Sequence, residues 1–146
     1  MTRIPDTLRN LVIERAHSCC EYCLIPQASK SYSFEVDHIV AEKHRGITAE
    51  HNLALACLDC NRHKGSDFAS FDPVTDQVAL LYNPRKDNWS DHFALDGAYI
   101  KALTPQGRVT QFLLELNSEA RIVDREVLIE AGEYPPAHFV PPIENA

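Results

Sequence analysis

A chain of 146 residues with 45% hydrophobic and 24% charged residues fits one water-soluble domain, or a small stapled module with an extension. No apolar run approaches the roughly 18 residues that span a bilayer. Met1-Thr2-Arg3-Ile4-Pro5-Asp6 also lacks the apolar stretch of a secretory signal, so a cytoplasmic protein without membrane contact is expected. The net charge of −7 argues against tight, non-specific DNA binding by the whole chain, because phosphate affinity comes largely from Lys and Arg. The acidic excess is uneven: residues 1–70 carry eight basic and nine acidic groups, whereas residues 71–146 carry six and twelve. The first stretch can therefore still present a local basic strip.

Leu8, Leu11, Val12 and Ala16 recur at helical spacing behind a capping Asp6 or Thr7, which predicts an amphipathic helix over residues 6–18. The polar stretch 27–31 reads as a loop. Residues 33–40 alternate and are rich in aromatic and β-branched side chains, the pattern of a strand. Gly46 marks a turn, residues 51–56 a returning strand and residues 60–67 a short helix. Further on, residues 78–82 form a strand candidate, and residues 89–95 and 98–103 predict a hairpin about Asp96-Gly97. Thr104-Pro105 opens a helix to residue 116 with Phe112, Leu113 and Leu116 as its apolar stripe. Ser118 caps a last helix in which Ile122, Val123, Val127 and Leu128 face inward and Gly132 ends it. Residues 135–142 read as extended.

Five cysteines in a reducing compartment point to metal rather than to disulfides. Cys20-x-x-Cys23 and Cys57-x-x-Cys60 are paired knuckles suited to a closed, tetrahedral all-cysteine zinc site. The gap between them, residues 24–56, is 33 residues long, against about 15–20 in simple zinc ribbons. A hairpin within the gap would bring the knuckles together. Cys19 is left as a buried small hydrophobe. Bound Zn²⁺ would contribute roughly 10–16 kcal/mol to folding, more than a seventy-residue core usually supplies alone. The order helix, knuckle, strand, loop, strand, knuckle, helix predicts an α+β fold. Its core, residues 1–70, would be a small ββα unit with zinc at its base, followed by an α+β extension over residues 71–146.

Between and just after the knuckles stand Val36-Asp37-His38-Ile39, Gly46, Asn52-Leu53, Asn61 and Lys64. Together with the two Cys-x-x-Cys pairs, these residues resemble the HNH nucleases, in their zinc-containing ββα-metal (His-Me finger) form, over about residues 10–67. The later Asp72-Pro73, Asn83-Pro84-Arg85, Trp89-Ser90-Asp91-His92-Phe93, Gly97 and Thr104 are similar to small free-standing bacterial HNH proteins. The resemblance implies a metal-dependent endonuclease that hydrolyses DNA, with double-stranded DNA the expected partner, and leaves 3′-hydroxyl and 5′-phosphate ends. It implies a divalent ion held by Asp37 and Asn61, with His38 as general base. Many family members place another His four residues after the Asn61 position; this chain has Gly65 there.

Elementary chemistry agrees with these assignments. A neutral imidazole titrating near pH 6.5 is matched to activating water, and a divalent cation neutralises charge on phosphoryl and leaving oxygens. Hard oxygen donors favour Mg²⁺ or Mn²⁺, with Ni²⁺ admissible, over tightly held zinc. Adjacent strand residues point to opposite faces, so Asp37 and His38 need a bend or a split role. His38 held by Nδ1 on a backbone carbonyl would leave Nε2 for the water, and Asn52 would brace the loop that sets this orientation. Lys43, Arg45, Arg62 and Lys64 are candidates for backbone phosphate contacts, against the plainer reading of a solvated charged face. His63 reads as a surface residue or a phosphate contact. The acidic stretch 71–146 suits a protein partner better than DNA, which leaves room for a zinc-stapled binding module without catalysis.

Overall fold

The computed structural model describes residues 3–142. Helix α1 (Asp6–Arg15) leads into the first knuckle. Strand β1 (Glu35–His38) pairs antiparallel with β2 (Leu53–Ala56), with His38 opposite Leu53 and Glu35 opposite Ala56. Helix α2 (Leu58–Lys64) starts at once after Cys57. A second hairpin joins β3 (Ala69–Asp72) to β4 (Gln77–Leu80). The short helix α3 (Trp89–His92) then runs into a third hairpin, β5 (Phe93–Asp96) with β6 (Tyr99–Ala102). Helices α4 (Pro105–Leu113) and α5 (Glu119–Glu130) complete the chain.

A lone two-stranded hairpin is marginal in water, and the described residues form three. Each therefore depends on what packs against it. Leu53-Ala54-Leu55-Ala56 of β2 are all buried, with α1 packed against the strand and the first knuckle bonded to its backbone. Glu21 N donates to Leu55 O, and Leu55 N donates to Glu21 Oε2, both at 2.9 Å. The β3–β4 hairpin is covered by α4, and Arg108 of α4 grips the buried Asp72 with two bonds of 3.0 and 2.9 Å. One apolar cluster runs from Ile4 and Val12 through Leu53, Phe93 and Ile100 to Leu128 and Tyr134, so both halves of the chain share it. Among the described residues, no helix is long and apolar enough to cross a membrane.

Several expectations change. Helix α1 stops at Arg15, because His17 and Ser18 take left-handed backbone angles (φ 53° and 56°) that turn the chain into the knuckle. Its first turn follows Pro5, without a side-chain cap from Asp6 or Thr7. Residues 50–52 form a 3-10 turn before β2 begins, and residues 89–92 form a helical turn before β5. Strand β3 has no apolar alternation to announce it; the Asp72–Arg108 grip holds it instead. Phe112 is exposed, and the inner stripe of α4 is Val109 and Thr110. The largest reversal is in α5. Val123 and Val127 face solvent, whereas Arg121, Arg125 and Leu128 are buried. Ser118 precedes this helix without a capping bond from its side chain, while Thr104 Oγ1 does cap α4 by accepting from Gly107 N at 3.0 Å.

Candidate active site and metal centre

The two knuckles meet. The Sγ atoms of Cys20, Cys23, Cys57 and Cys60 all lie within 4.8 Å of one another, and all four residues are buried. A tetrahedral ion with Zn–S bonds of about 2.3 Å sets sulfurs about 3.8 Å apart; Cys23 Sγ and Cys57 Sγ are 3.7 Å apart. None of the five cysteines is in a disulfide. Cys19 is buried outside the cluster, with its thiol on His17 O at 3.4 Å.

Cys57 is also the N-cap of α2, its sulfur accepting from Cys60 N at 3.5 Å. The same sulfur ligand that would hold an ion thereby starts the helix. Segments from the second half of the chain close the cluster. Arg121, 6% exposed, donates to Cys60 Sγ at 2.9 Å and Cys57 Sγ at 3.8 Å. Burial opposes the charge of this guanidinium, but the Cys60, Cys23 and Cys57 sulfurs outweigh it and hold its pKa above the ordinary value. Tyr134 Oη donates to Cys23 O at 2.8 Å, and Trp89 Nε1 donates to Tyr22 O at 2.9 Å. The chemistry of this site, four crowded sulfurs beside a buried cation, fits a thiolate-bound Zn²⁺.

Strand β1 presents Asp37 and His38 to different neighbours. Asp37 faces α2, where Lys64 Nζ lies 3.5 Å from its Oδ2 and donates to His38 O at 3.1 Å. Burial raises the Asp37 pKa, and the Lys64 ammonium beside it offsets part of that rise. Asn61 stands one turn before Lys64 on α2 and is half-buried, so the two share a side of the helix. The His38 ring, by contrast, turns into the loop between β1 and β2. It is 8% exposed, with Nε2 2.8 Å from Thr48 Oγ1 and 3.5 Å from Glu42 Oε1. Thr48 Oγ1 donates onward to Glu42 Oε1 at 3.4 Å. Nε2 is thus engaged by the loop and Nδ1 is the other ring nitrogen, whereas the expectation from sequence leaves Nε2 for the water.

Asn52 staples the loop on which His38 rests. Its Oδ1 accepts from Val40 N, and its Nδ2 donates to Val40 O and Ile47 O, each at 2.9 Å. Gly46 passes so close that a Cβ there would sit 1.7 Å from Val40 O; only glycine fits this crossing.

Of the four candidate phosphate contacts, Lys43, Arg45 and Arg62 are exposed. Lys64 is not. At 2% exposure its ammonium faces inward to Asp37, because the β1 backbone and carboxylate offer the buried charge better partners than α2 alone could. His63 is tied down through Nδ1 to Asp59 O at 2.7 Å and by an ion pair with Glu115, away from Asp37. Glu42 and Thr48, which touch His38, escaped sequence reading altogether: they lie in a polar loop with no motif, and only the stapling by Asn52 carries them to the ring.

The family model for HNH endonucleases matches residues 20–67. No curated protein and no solved structure matches the chain. The matched span begins at the first ligand of the cysteine cluster and contains β1, β2 and α2. Residues 20–67 are thus similar to the HNH endonuclease family over a span that holds the four-cysteine knuckle pair inside an α+β fold.

Proposed function

We propose that the protein is a metal-dependent endonuclease that hydrolyses DNA phosphodiester bonds. The observation that supports this reading is the meeting of β1 and α2: Asp37 contacts Lys64, one turn after Asn61 on the same helix, within the segment matched by the HNH model. Two hard oxygen donors on facing elements suit Mg²⁺ or Mn²⁺, which keep several waters and need only one or two protein ligands. Such an ion would supply Lewis-acid stabilisation of the phosphoryl and leaving oxygens. Asp37 and Asn61 would hold it. His38 would take the proton of the attacking water at a ring nitrogen, with Thr48 and Glu42 receiving the other N–H and fixing the ring plane. Asn52 would act on the rate through this loop, and Lys64 would position the Asp37 carboxylate. The exposed Lys43, Arg45 and Arg62 would bind backbone phosphates on either side of the scissile bond. The absence of a His at position 65 leaves the divalent ion with fewer protein ligands, which favours readily exchanged ions.

Supercoiled plasmid incubated with Mg²⁺, Mn²⁺, Ni²⁺ or chelator tests the reading. The expected result is nicking with at least one of these ions, none with chelator, and none by His38→Ala at unchanged zinc content. Nicking by His38→Ala at the parental rate would remove His38 as the base. A second reading is a zinc-stapled DNA- or protein-binding module without turnover. Two observations favour it: the ammonium that already neutralises Asp37 and the Thr48 bond that engages His38. Binding to DNA or to a partner, without cleavage under every ion, would establish that alternative.

A further inference from the structure

We propose that Arg121 is the built-in counter-cation of the cysteine cluster, so that docking of α5 and retention of zinc are a single coupled equilibrium. Four thiolates around one Zn²⁺ carry a net charge of about −2. Burying that charge without compensation is costly. Arg121 reaches the cluster from a helix sixty residues beyond the second knuckle, and one nitrogen is 2.9 Å from Cys60 Sγ and 3.8 Å from Cys57 Sγ. The other terminal nitrogen donates to Leu114 O at 2.7 Å, at the end of α4. One planar fork thus joins the sulfur cluster to the α4–α5 connection.

Two consequences follow. N–H···S bonds draw electron density from the two sulfurs of the second knuckle, making them poorer targets for acid and for electrophiles. Coupling is also reciprocal: whatever free energy α5 docking lends to zinc retention, bound zinc lends to α5 docking. The extension is then a wall of the metal site rather than an appended module. Lysine cannot substitute fully, because a single ammonium cannot serve the sulfurs and Leu114 O with the geometry of a fork.

The test uses the full-length, zinc-loaded protein with Arg121→Ala and Arg121→Lys, following transfer of zinc to the chromogenic chelator 4-(2-pyridylazo)resorcinol. Arg121→Ala should release zinc about 10–100-fold faster than the parent, and Arg121→Lys should fall between them. In Co²⁺-substituted samples the sulfur-to-cobalt charge-transfer band should shift in both variants, a signature that mere loosening of α5 would not produce. Release by Arg121→Ala at the parental rate, or an unshifted cobalt band in either folded variant, overturns the proposal. Should Arg121→Ala fail to fold, Arg121→Lys decides alone, and parental values for its release rate and band count against the coupling. A parent protein that takes up no zinc overturns it as well. Nicking is not part of the readout, so the result stands apart from the nuclease reading.

Discussion

Cys60 and Lys64 sit one turn apart on α2, yet the centres they serve are built in opposite ways. Around the cysteines every ligand is buried, and Arg121, Tyr134 and Trp89 close the surroundings from the second half of the chain. Around Asp37 the carboxylate is a quarter exposed, its partners are the Lys64 ammonium and the His38 backbone N–H, and Lys43 and Arg45 of the β1–β2 loop stand in solvent. The first arrangement suits an ion that stays; under the proposed reading the second would suit one that arrives with substrate and leaves with product. Permanence would then come from enclosure and charge compensation, and exchange from having too few fixed ligands to trap an ion.

The comparison is broken most severely at the sulfurs. Cys60→Ser should forfeit much of the roughly 10–16 kcal/mol that zinc lends to folding, abolishing the cooperative melt seen by circular dichroism. A folded, zinc-retaining Cys60→Ser would erase the distinction between the two centres. On the other side, His38→Ala should lower cleavage about 10²–10⁴-fold while the melting curve and zinc content stay near parental. Loss of zinc in that variant would show that the two centres are not separable.

Lys64→Met gives a smaller and more diagnostic effect. Removing the cation beside Asp37 should tighten Mn²⁺ binding roughly tenfold, read by calorimetric titration. Leaving His38 O without its donor should lower stability by about 1–3 kcal/mol. Weaker Mn²⁺ binding would mean that Lys64 does not compete with the ion. The mildest test lies far from both centres. Arg108 holds Asp72 well below the ordinary carboxylate range, so the pair stabilises the fold above the unfolded carboxylate pKa. That contribution is lost as pH falls through the depressed folded value. Asp72→Asn should therefore be less stable at pH 7, and its urea midpoint should fall less than the parent's on acidification. Parallel pH profiles for the two proteins would sink this assignment.

The legible parts of this molecule were the local ones. Knuckle spacing, the β1–β2 pairing, the turn at Gly46 and the Asp96-Gly97 hairpin all follow from neighbours in sequence, whereas the close crossing of Gly46 over Val40 O does not. The zinc-type cluster was readable because Cys-x-x-Cys constrains geometry within a single turn. What stayed hidden depended on tertiary partners. Lys64 looks like any surface cation until β1 is laid against α2. Arg121 and Arg125 look like the polar face of α5, and Val123 and Val127 like its core, until the carbonyls of Ala98, Leu114 and Leu116 and the cysteine sulfurs appear as acceptors. A charged side chain with several fixed acceptors can outcompete valine for the interior, and hydrophobic periodicity has no term for that.

A seven-residue helix that begins on a sulfur and ends on an ammonium is a short crank between the cysteine cluster and strand β1. Its pitch fixes how far Asn61 and Lys64 stand from the strand opposite, and that pitch is anchored at the cysteine end. Stripping the anchor would therefore shift Asn61 and Lys64 relative to β1, a displacement felt wherever Asp37 meets the helix.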